Sequence, residues 1–288
     1  MNATFAPRML GNTQIPVGPL GLGSSFGLPA RDVERAFERG VNFFLWGSLR
    51  RRDFGKGLRN LAQRDRAKMA IAIQSYTRIG WMMEWSVNSA LRFLKTDYVD
   101  VLTLSWWNAP PPERILDAAM RLRDKGKVRH LMISCHHRPT FPTIAKDPRF
   151  GALMIRYNAA HPGAEQEVFP YLDEARPGTV AFTATRWGTL LDPRLTPAGE
   201  ATPRASDCYR FGMTQPKIDV CLAGPKDAAQ LDEALVALDR GPLDDDEMAW
   251  IRRVGSAVRA ATANRAGLVT RLDRLTTVPL CKPRQLPG

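Results

Sequence analysis

Several side chains capable of acid–base, nucleophilic or anion-binding chemistry stand just past short apolar runs in this 288-residue chain. Ser105 ends the run Val99–Ser105 and is followed by Trp106 and Trp107, while Tyr76 lies two residues beyond the run Lys68–Gln74. Cys135-His136-His137 follows Val128–Ser134, Tyr157-Asn158-Ala159-Ala160-His161 ends a further run, and Arg186 trails Thr179–Thr183. A phenol such as Tyr76 donates a proton near neutrality only if its pKa is brought down from about 10. Otherwise it lines a pocket, as a ring with one polar tip often does. An imidazole needs no such help, so His137, or its neighbour His136, is the candidate acid. Adjacent histidines in extended chain point to opposite sides, which argues against a shared metal. Arg50, Arg156 and Arg186 are suited to an anionic ligand, although strand alternation is expected to turn Arg156 outward. Trp46, Trp106, Trp107 and Trp187, each close behind a strand, either wall an aromatic-ligand pocket or cap the strand ends as packing. Their position favours the pocket.

The runs themselves are Val- and Leu-rich and read as buried parallel strands. They span Val17–Gly23, Val41–Leu45, Lys68–Gln74, Val99–Ser105, Val128–Ser134, Leu153–Tyr157, Thr179–Thr183 and Ile218–Leu222. Amphipathic stretches alternate with them at Pro29–Arg39, Phe54–Gln63, Met83–Leu94, Glu113–Asp124, near Thr140–Lys146, Glu165–Glu174 and Asp227–Leu238. So many strand-then-helix units in this length predict a single (β/α)8 TIM-type barrel, α/β in class, with its chemistry at the C-terminal ends of the strands. Residues 1–288 read as one domain, with a lead-in over 1–16 and an extra helix and tail over 243–288. Leu243–Ala261 is the expected extra helix, its N-terminus rich in acid as the helix dipole favours. Asp192–Arg210 is expected to be a loop over the mouth, and the tail from Thr276 to be irregular.

Bulk properties narrow the functional classes. Hydrophobic residues make up 44% of the chain, and the mean hydropathy of −0.27 is that of a soluble globular protein. The net charge of +12 suits nucleic acid, an anionic surface or a phosphorylated small molecule. Only Arg50-Arg51-Arg52 forms a dense basic run, and no aromatic-interleaved basic motif accompanies it. The charge therefore reads as arginine spread over helix surfaces rather than as a nucleic-acid footprint. The four cysteines, Cys135, Cys208, Cys221 and Cys281, are widely spaced, which points to a reducing cytoplasm rather than to disulfides or zinc. No uncharged apolar run reaches the roughly 18 residues of a membrane span. The expected partner is a small molecule, aromatic or anionic, with no metal and no membrane; the oligomeric state is not legible.

Five phrases carry a resemblance. They are Gly40-Val-Asn-Phe-Phe44, Leu91-Arg-Phe-Leu-Lys-Thr-Asp-Tyr-Val-Asp100, Gly126-Lys-Val-Arg129 through Ser134, Tyr157-Asn158, and Ala223-Gly-Pro-Lys226 through Gln230-Leu-Asp-Glu233. In order and spacing, over residues 8–260, they resemble the aldo-keto reductase superfamily. That resemblance implies an NAD(P)H-dependent oxidoreductase barrel binding NADP(H). It also implies that a tyrosine donates the proton, a lysine held by an aspartate lowers the tyrosine pKa, and a histidine orients the substrate carbonyl. On the cofactor side it points to Ser134, Asn158, Phe182, Gly224, Lys226, Gln230 and Glu233. Lys226 beside a helix N-terminus suits a 2′-phosphate, or is a surface lysine that starts the helix.

The resemblance departs at the catalytic positions. The aspartate place holds Leu45, the tyrosine place Arg50, the lysine place Gln74 and the histidine place Ser105. Arginine keeps its proton at any working pH and is no acid. The chain therefore reads as an aldo-keto reductase-like oxidoreductase homologue in which carbonyl reduction either runs through an altered site or is lost, making it a pseudoenzyme candidate. The alternative is a non-catalytic small-molecule-binding or regulatory protein that uses the same pocket.

Overall fold

The computed structural model describes residues 5–47, 49–173 and 176–276, with side chains through residue 263. Two short strands, β1 (Arg8–Met9) and β2 (Pro16–Val17), pair antiparallel. Eight further strands follow: β3 (Leu20–Gly23), β4 (Phe43–Trp46), β5 (Ala70–Ser75), β6 (Val99–Leu104), β7 (Val128–Cys135), β8 (Phe150–Arg156), β9 (Gly178–Phe182) and β10 (Val220–Ala223). They close in the order β10-β3-β4-β5-β6-β7-β8-β9, every neighbour parallel. This is the (β/α)8 barrel that the eight runs predict.

Strand alternation divides the core in two. Phe43, Leu45, Ala70, Ala72, Val101, Met132, Ala152 and Met154 pack together inside the barrel with Val180, Val220 and Leu222. The intervening residues, such as Phe44, Trp46, Ile71, Ile73, Leu102 and Leu104, belong to the outer cluster under the helices. Alanines on β5 and β8 make room for Phe43 and Met132, the large-and-small layering that lets a barrel interior close without a pore.

Helices α1 (Ala30–Glu38), α2 (Arg52–Asp65), α3 (Gly80–Leu94), α4 (Glu113–Asp124), α5 (Phe141–Ile144), α6 (Ala164–Glu167), α7 (Ala205–Thr214), α8 (Ala228–Arg240) and α9 (Asp245–Thr276) complete the described chain. Three expectations need correction. The stretch Glu165–Glu174 is not one helix: α6 is a single turn followed by a 3-10 turn over Phe169–Tyr171, and Pro170 cannot continue the ladder. Residue 174 lies outside the described residues.

The segment Asp192–Arg210 does not remain a loop to its end. After two 3-10 turns it enters α7, whose residues Ser206 to Met213 are all buried. Buried all round, α7 lacks the polar face that marks most helices in a sequence. Its polar members are satisfied internally: the Asp207 carboxylate accepts from the Arg204 N–H at 2.8 Å, and Arg210 donates to both oxygens of Glu247.

The extra helix also runs past the expected Ala261, to Thr276. It packs through Val254 and Val258 on Ala160, Leu190 and Cys208. At Gly255 its backbone comes so close to Ala159 that any Cβ would strike that residue's carbonyl. The irregular tail expected beyond Thr276, with Cys281, lies outside the described residues. Among the described residues no helix is long and apolar enough to cross a membrane.

Candidate functional site

One inward side chain, or glycine backbone, from the end of each barrel strand closes a ring at the mouth: Gly23, Leu45, Gln74, Ser105, Ser134, Met154, Phe182 and Leu222. Above it opens a cavity of about 280 Å³. Strand period 2 puts these residues on one face, and the barrel brings them together from across the sequence. A cavity of this volume sits at the low end for small-molecule sites.

An arc of aromatic rings borders the cavity. Tyr76 meets Trp106 edge-on at 5.8 Å, Trp106 meets His136 at 6.3 Å, and His136 meets Phe182 at 5.3 Å. Edge-to-face contacts at these separations suit aromatic quadrupoles. Trp106 and Trp187 stand two-thirds exposed on the wall. Arg78, which sequence reading passed over, braces the arc from behind: it stacks on Trp107 at 3.7 Å and donates to the carbonyls of Ser105 and Trp106. The loops carrying these side chains are conformationally costly. Trp106, Thr183, Arg186 and Trp187 all have φ between +50° and +60°. Such values are uncommon outside glycine, and for a β-branched threonine they are an outlier of the kind that gathers at functional sites.

Three of the four positions at which the resemblance expects catalytic groups face this cavity: Leu45, Gln74 and Ser105. The fourth, Arg50, is exposed on a neighbouring recess shared with Leu49, Met82 and Trp85. Leu45 is buried and apolar. The Ser105 hydroxyl is buried and has no hydrogen-bond partner of ordinary geometry, while its proximity favours the ionised form of the Tyr76 phenol. Tyr76 donates to the Gln74 side-chain oxygen at 3.0 Å, and burial nonetheless pushes its pKa above the usual 10. Burial, then the nearby Arg156 charge, pushes the His136 imidazole below its usual 6.5. Tyr209, also on the wall, is pushed up by burial.

The remaining sequence candidates divide. His137 is exposed off the cavity wall, with its Nδ1 2.9 Å from the Thr140 hydroxyl, which itself donates to the Asn108 carbonyl. It is His136, two residues on from inward-facing Ser134, that reaches the cavity. Trp46 turns outward, packs on Phe93 at 5.2 Å and donates to the Arg51 carbonyl. Trp107 lies under Arg78, so neither it nor Trp46 walls the cavity, whereas Trp106 and Trp187 do. Arg156 continues the inward series Ala152 and Met154 and pairs in register with Phe182, contrary to the outward turn expected. Arg186 donates to the Val258 carbonyl of α9.

Among the residues pointed to for a nucleotide, Ser134, Phe182 and Gly224 line the cavity. Asn158 is buried and already engaged, donating to the Thr183 carbonyl and accepting from the Ala160 N–H. Lys226 is exposed just before α8, its backbone N–H held by the Gln230 side chain. Asp227 caps that helix by accepting from the Gln230 N–H. Glu233 instead holds α7, accepting from Ser206 and pairing with Arg204 at 3.2 Å. Among the described residues no three His, Cys, Asp or Glu side chains converge as a metal would need.

Solved structures share this architecture. An aldo-keto reductase from Bacillus halodurans, in its holo form, superposes with a TM-score of 0.75 at 18% identity, covering 88% of this chain and 97% of that one. An aldo/keto reductase from Klebsiella pneumoniae in complex with NADP and acetate gives 0.69 at 17% identity, covering 89% and 96%. At such identities the likeness speaks for the fold alone. The sequence model of the aldo/keto reductase family, however, matches residues 56–207, more than half of the chain. On that match, and with the barrel and its mouth as described, the chain belongs to the aldo/keto reductase family.

Proposed function

We propose that this protein binds NADP(H) at the barrel mouth and does not carry out the carbonyl reduction ordinary to its family, so that any turnover runs through an altered site. The observation behind this reading is the composition of the mouth. The ring of eight offers two leucines, a glycine, a methionine, a phenylalanine, one amide and two hydroxyls, and no group on the wall is a ready acid near neutrality. Tyr76 and Tyr209 are pushed above 10, and His136 is pushed below 6.5 and so is mostly neutral at pH 7.

The residues present fit a nicotinamide end. Phe182 offers an aromatic wall, Ser134 and Ser105 offer hydroxyls, and the Ser105 hydroxyl is buried beside the Tyr76 phenol with no hydrogen bond of ordinary geometry. Lys226 beside the N-terminus of α8 offers charge and backbone N–H groups for phosphate. When bound, the reduced cofactor supplies hydride. The Klebsiella pneumoniae structure in complex with NADP supports the same assignment by fold.

Trp106 and Trp187 on the wall provide the readout. NADPH titration should give saturable quenching of tryptophan fluorescence, and assays with NADPH over a panel of carbonyl compounds should show rates far below those of tyrosine-bearing relatives. Absence of quenching and of binding heat at high micromolar NADPH would remove the nicotinamide reading. The second reading, a binding or regulatory protein for an aromatic small molecule, is favoured by the aromatic arc and would then stand alone.

A further inference from the structure

We propose that the rim between the loops after β7, β8 and β9 is a separate oxyanion subsite, built from Arg138, Arg156, His161 and Arg186, for the phosphate or carboxylate group of a ligand whose body occupies the mouth. The proposal rests on the reading of the mouth as a ligand cavity but needs no cofactor.

The first support is convergence. His161 has Arg156, Arg186, Arg259 and Arg138 all close enough to act on it, and burial together with their charge pushes its imidazole down to about 4. Arg156 also acts on His136 of the cavity wall and stands next to Arg138 and Arg186. Two loop arginines, Arg138 and Arg186, one at the end of β8, Arg156, and one on α9, Arg259, thus all act on one neutral imidazole.

The second support is the shortage of countercharge. Elsewhere this chain pairs its arginines freely, as in Arg149 with Asp147 and Glu113, or Arg210 with Glu247. On the rim only Arg138 has a carboxylate, Glu167 at 2.9 Å. Among the described residues Arg156, Arg186 and Arg259 form no ion pair. The Nε atoms of both Arg138 and Arg156 are buried with no hydrogen-bond partner. Buried donors and crowded like charges are each unfavourable unless an acceptor anion completes them. A planar guanidinium fork matches a phosphate or carboxylate edge, and several from different loops fix its position. While neutral, His161 directs its Nδ1–H at the Asn158 side-chain oxygen, 3.3 Å away, so its other ring nitrogen becomes a donor only when a bound anion draws a proton onto the ring.

Inorganic phosphate is the probe, titrated calorimetrically into the full chain at constant ionic strength, with and without saturating NADPH. Saturable millimolar binding, equal in both conditions, is expected. Arg156→Gln and Arg186→Gln should each weaken it about tenfold, as expected for a charged hydrogen bond. Arg156→Lys should retain most of it, and Arg92→Gln on α3 should leave it unchanged. Thermal melts of each variant separate loss of binding from loss of fold. No saturable binding, or equal binding by wild type and both glutamine variants, overturns the subsite. Competition between phosphate and NADPH would overturn its separateness by giving the anion to the cofactor. Phosphate binding without any NADPH binding would uphold the subsite while the nicotinamide reading fell.

Discussion

The Tyr76 hydroxyl donates to the side-chain oxygen of Gln74 across 3.0 Å at the edge of the cavity. An amide oxygen takes the phenol proton's hydrogen bond but brings no positive charge to stabilise a phenolate. Burial therefore dominates, and the pKa rises instead of falling. Installing a cation at that place reverses the balance: Gln74→Lys should lower the Tyr76 midpoint by about 1–3 units. Phenolate absorbance followed through an alkaline titration, with Tyr76→Phe as the blank, reads this directly. A midpoint unmoved by the lysine would show that Tyr76 and position 74 are not electrostatically coupled.

Leu45 and Gln74 should behave as a coupled pair. Leu45→Asp alone places a lone carboxylate in an apolar wall and should destabilise the barrel by several kcal/mol, on the order of 3. With Gln74→Lys present the charge gains a partner, and the double variant should recover about 1–3 kcal/mol of that loss. Urea denaturation of the four members of the cycle measures the coupling. Strict additivity would mean that the two side chains do not meet.

The tryptophans separate by role. Trp46→Ala removes a buried ring from between β4 and α3 and should destabilise by about 3–5 kcal/mol. Trp106→Ala, on the exposed arc, should change stability by roughly 0.5 kcal/mol or less while weakening any ligand of the mouth. Thermal melts beside NADPH titrations distinguish the two, and a large stability loss at Trp106 would contradict its assignment as wall.

Acid should weaken the α7–α9 junction. Arg210, with Arg240, holds the Glu247 carboxyl down to about 2 from 4.5. A folded-state pKa below the unfolded one means stability that is present above about 4.5 and lost as pH falls toward about 2. Glu247→Gln should lower stability at neutral pH and flatten its decline across that window, as seen in denaturant midpoints against pH. Arg210→Met leaves the carboxylate with Arg240 alone and strips the Gly241 and Pro242 carbonyls of their donor, and should cost about 1–3 kcal/mol at pH 7.

Much of this arrangement is legible in the residues, and the failures have physical causes. Eight apolar runs separated by amphipathic stretches leave few alternatives to a closed parallel barrel. The floor of the mouth follows from alternation once one inward residue is fixed. The same rule, applied strictly, would have sent Trp46 outward behind Leu45, chosen His136 over His137 behind Ser134, and kept Arg156 in series with Met154. Helix α7 was hidden because its polar residues are buried in ion pairs rather than displayed on a face. Arg78 has no local signature, since its partners lie on a loop some 30 residues away. The engagement of Asn158 and Glu233 with backbone and with α7 likewise depends on contacts that no spacing encodes.

The left-handed backbone at Thr183 carries a wider consequence. Its hydroxyl donates to the Phe182 carbonyl, holding a β-branched residue in a conformation that costs about 1–3 kcal/mol. A glycine there would relieve the strain, and with it the constraint that aims Phe182 and the loop toward the cavity. Stability and shape thus make opposite demands on one codon. A lineage selected only for heat resistance would discard this residue early, so its persistence at that position would mark the mouth as still in use.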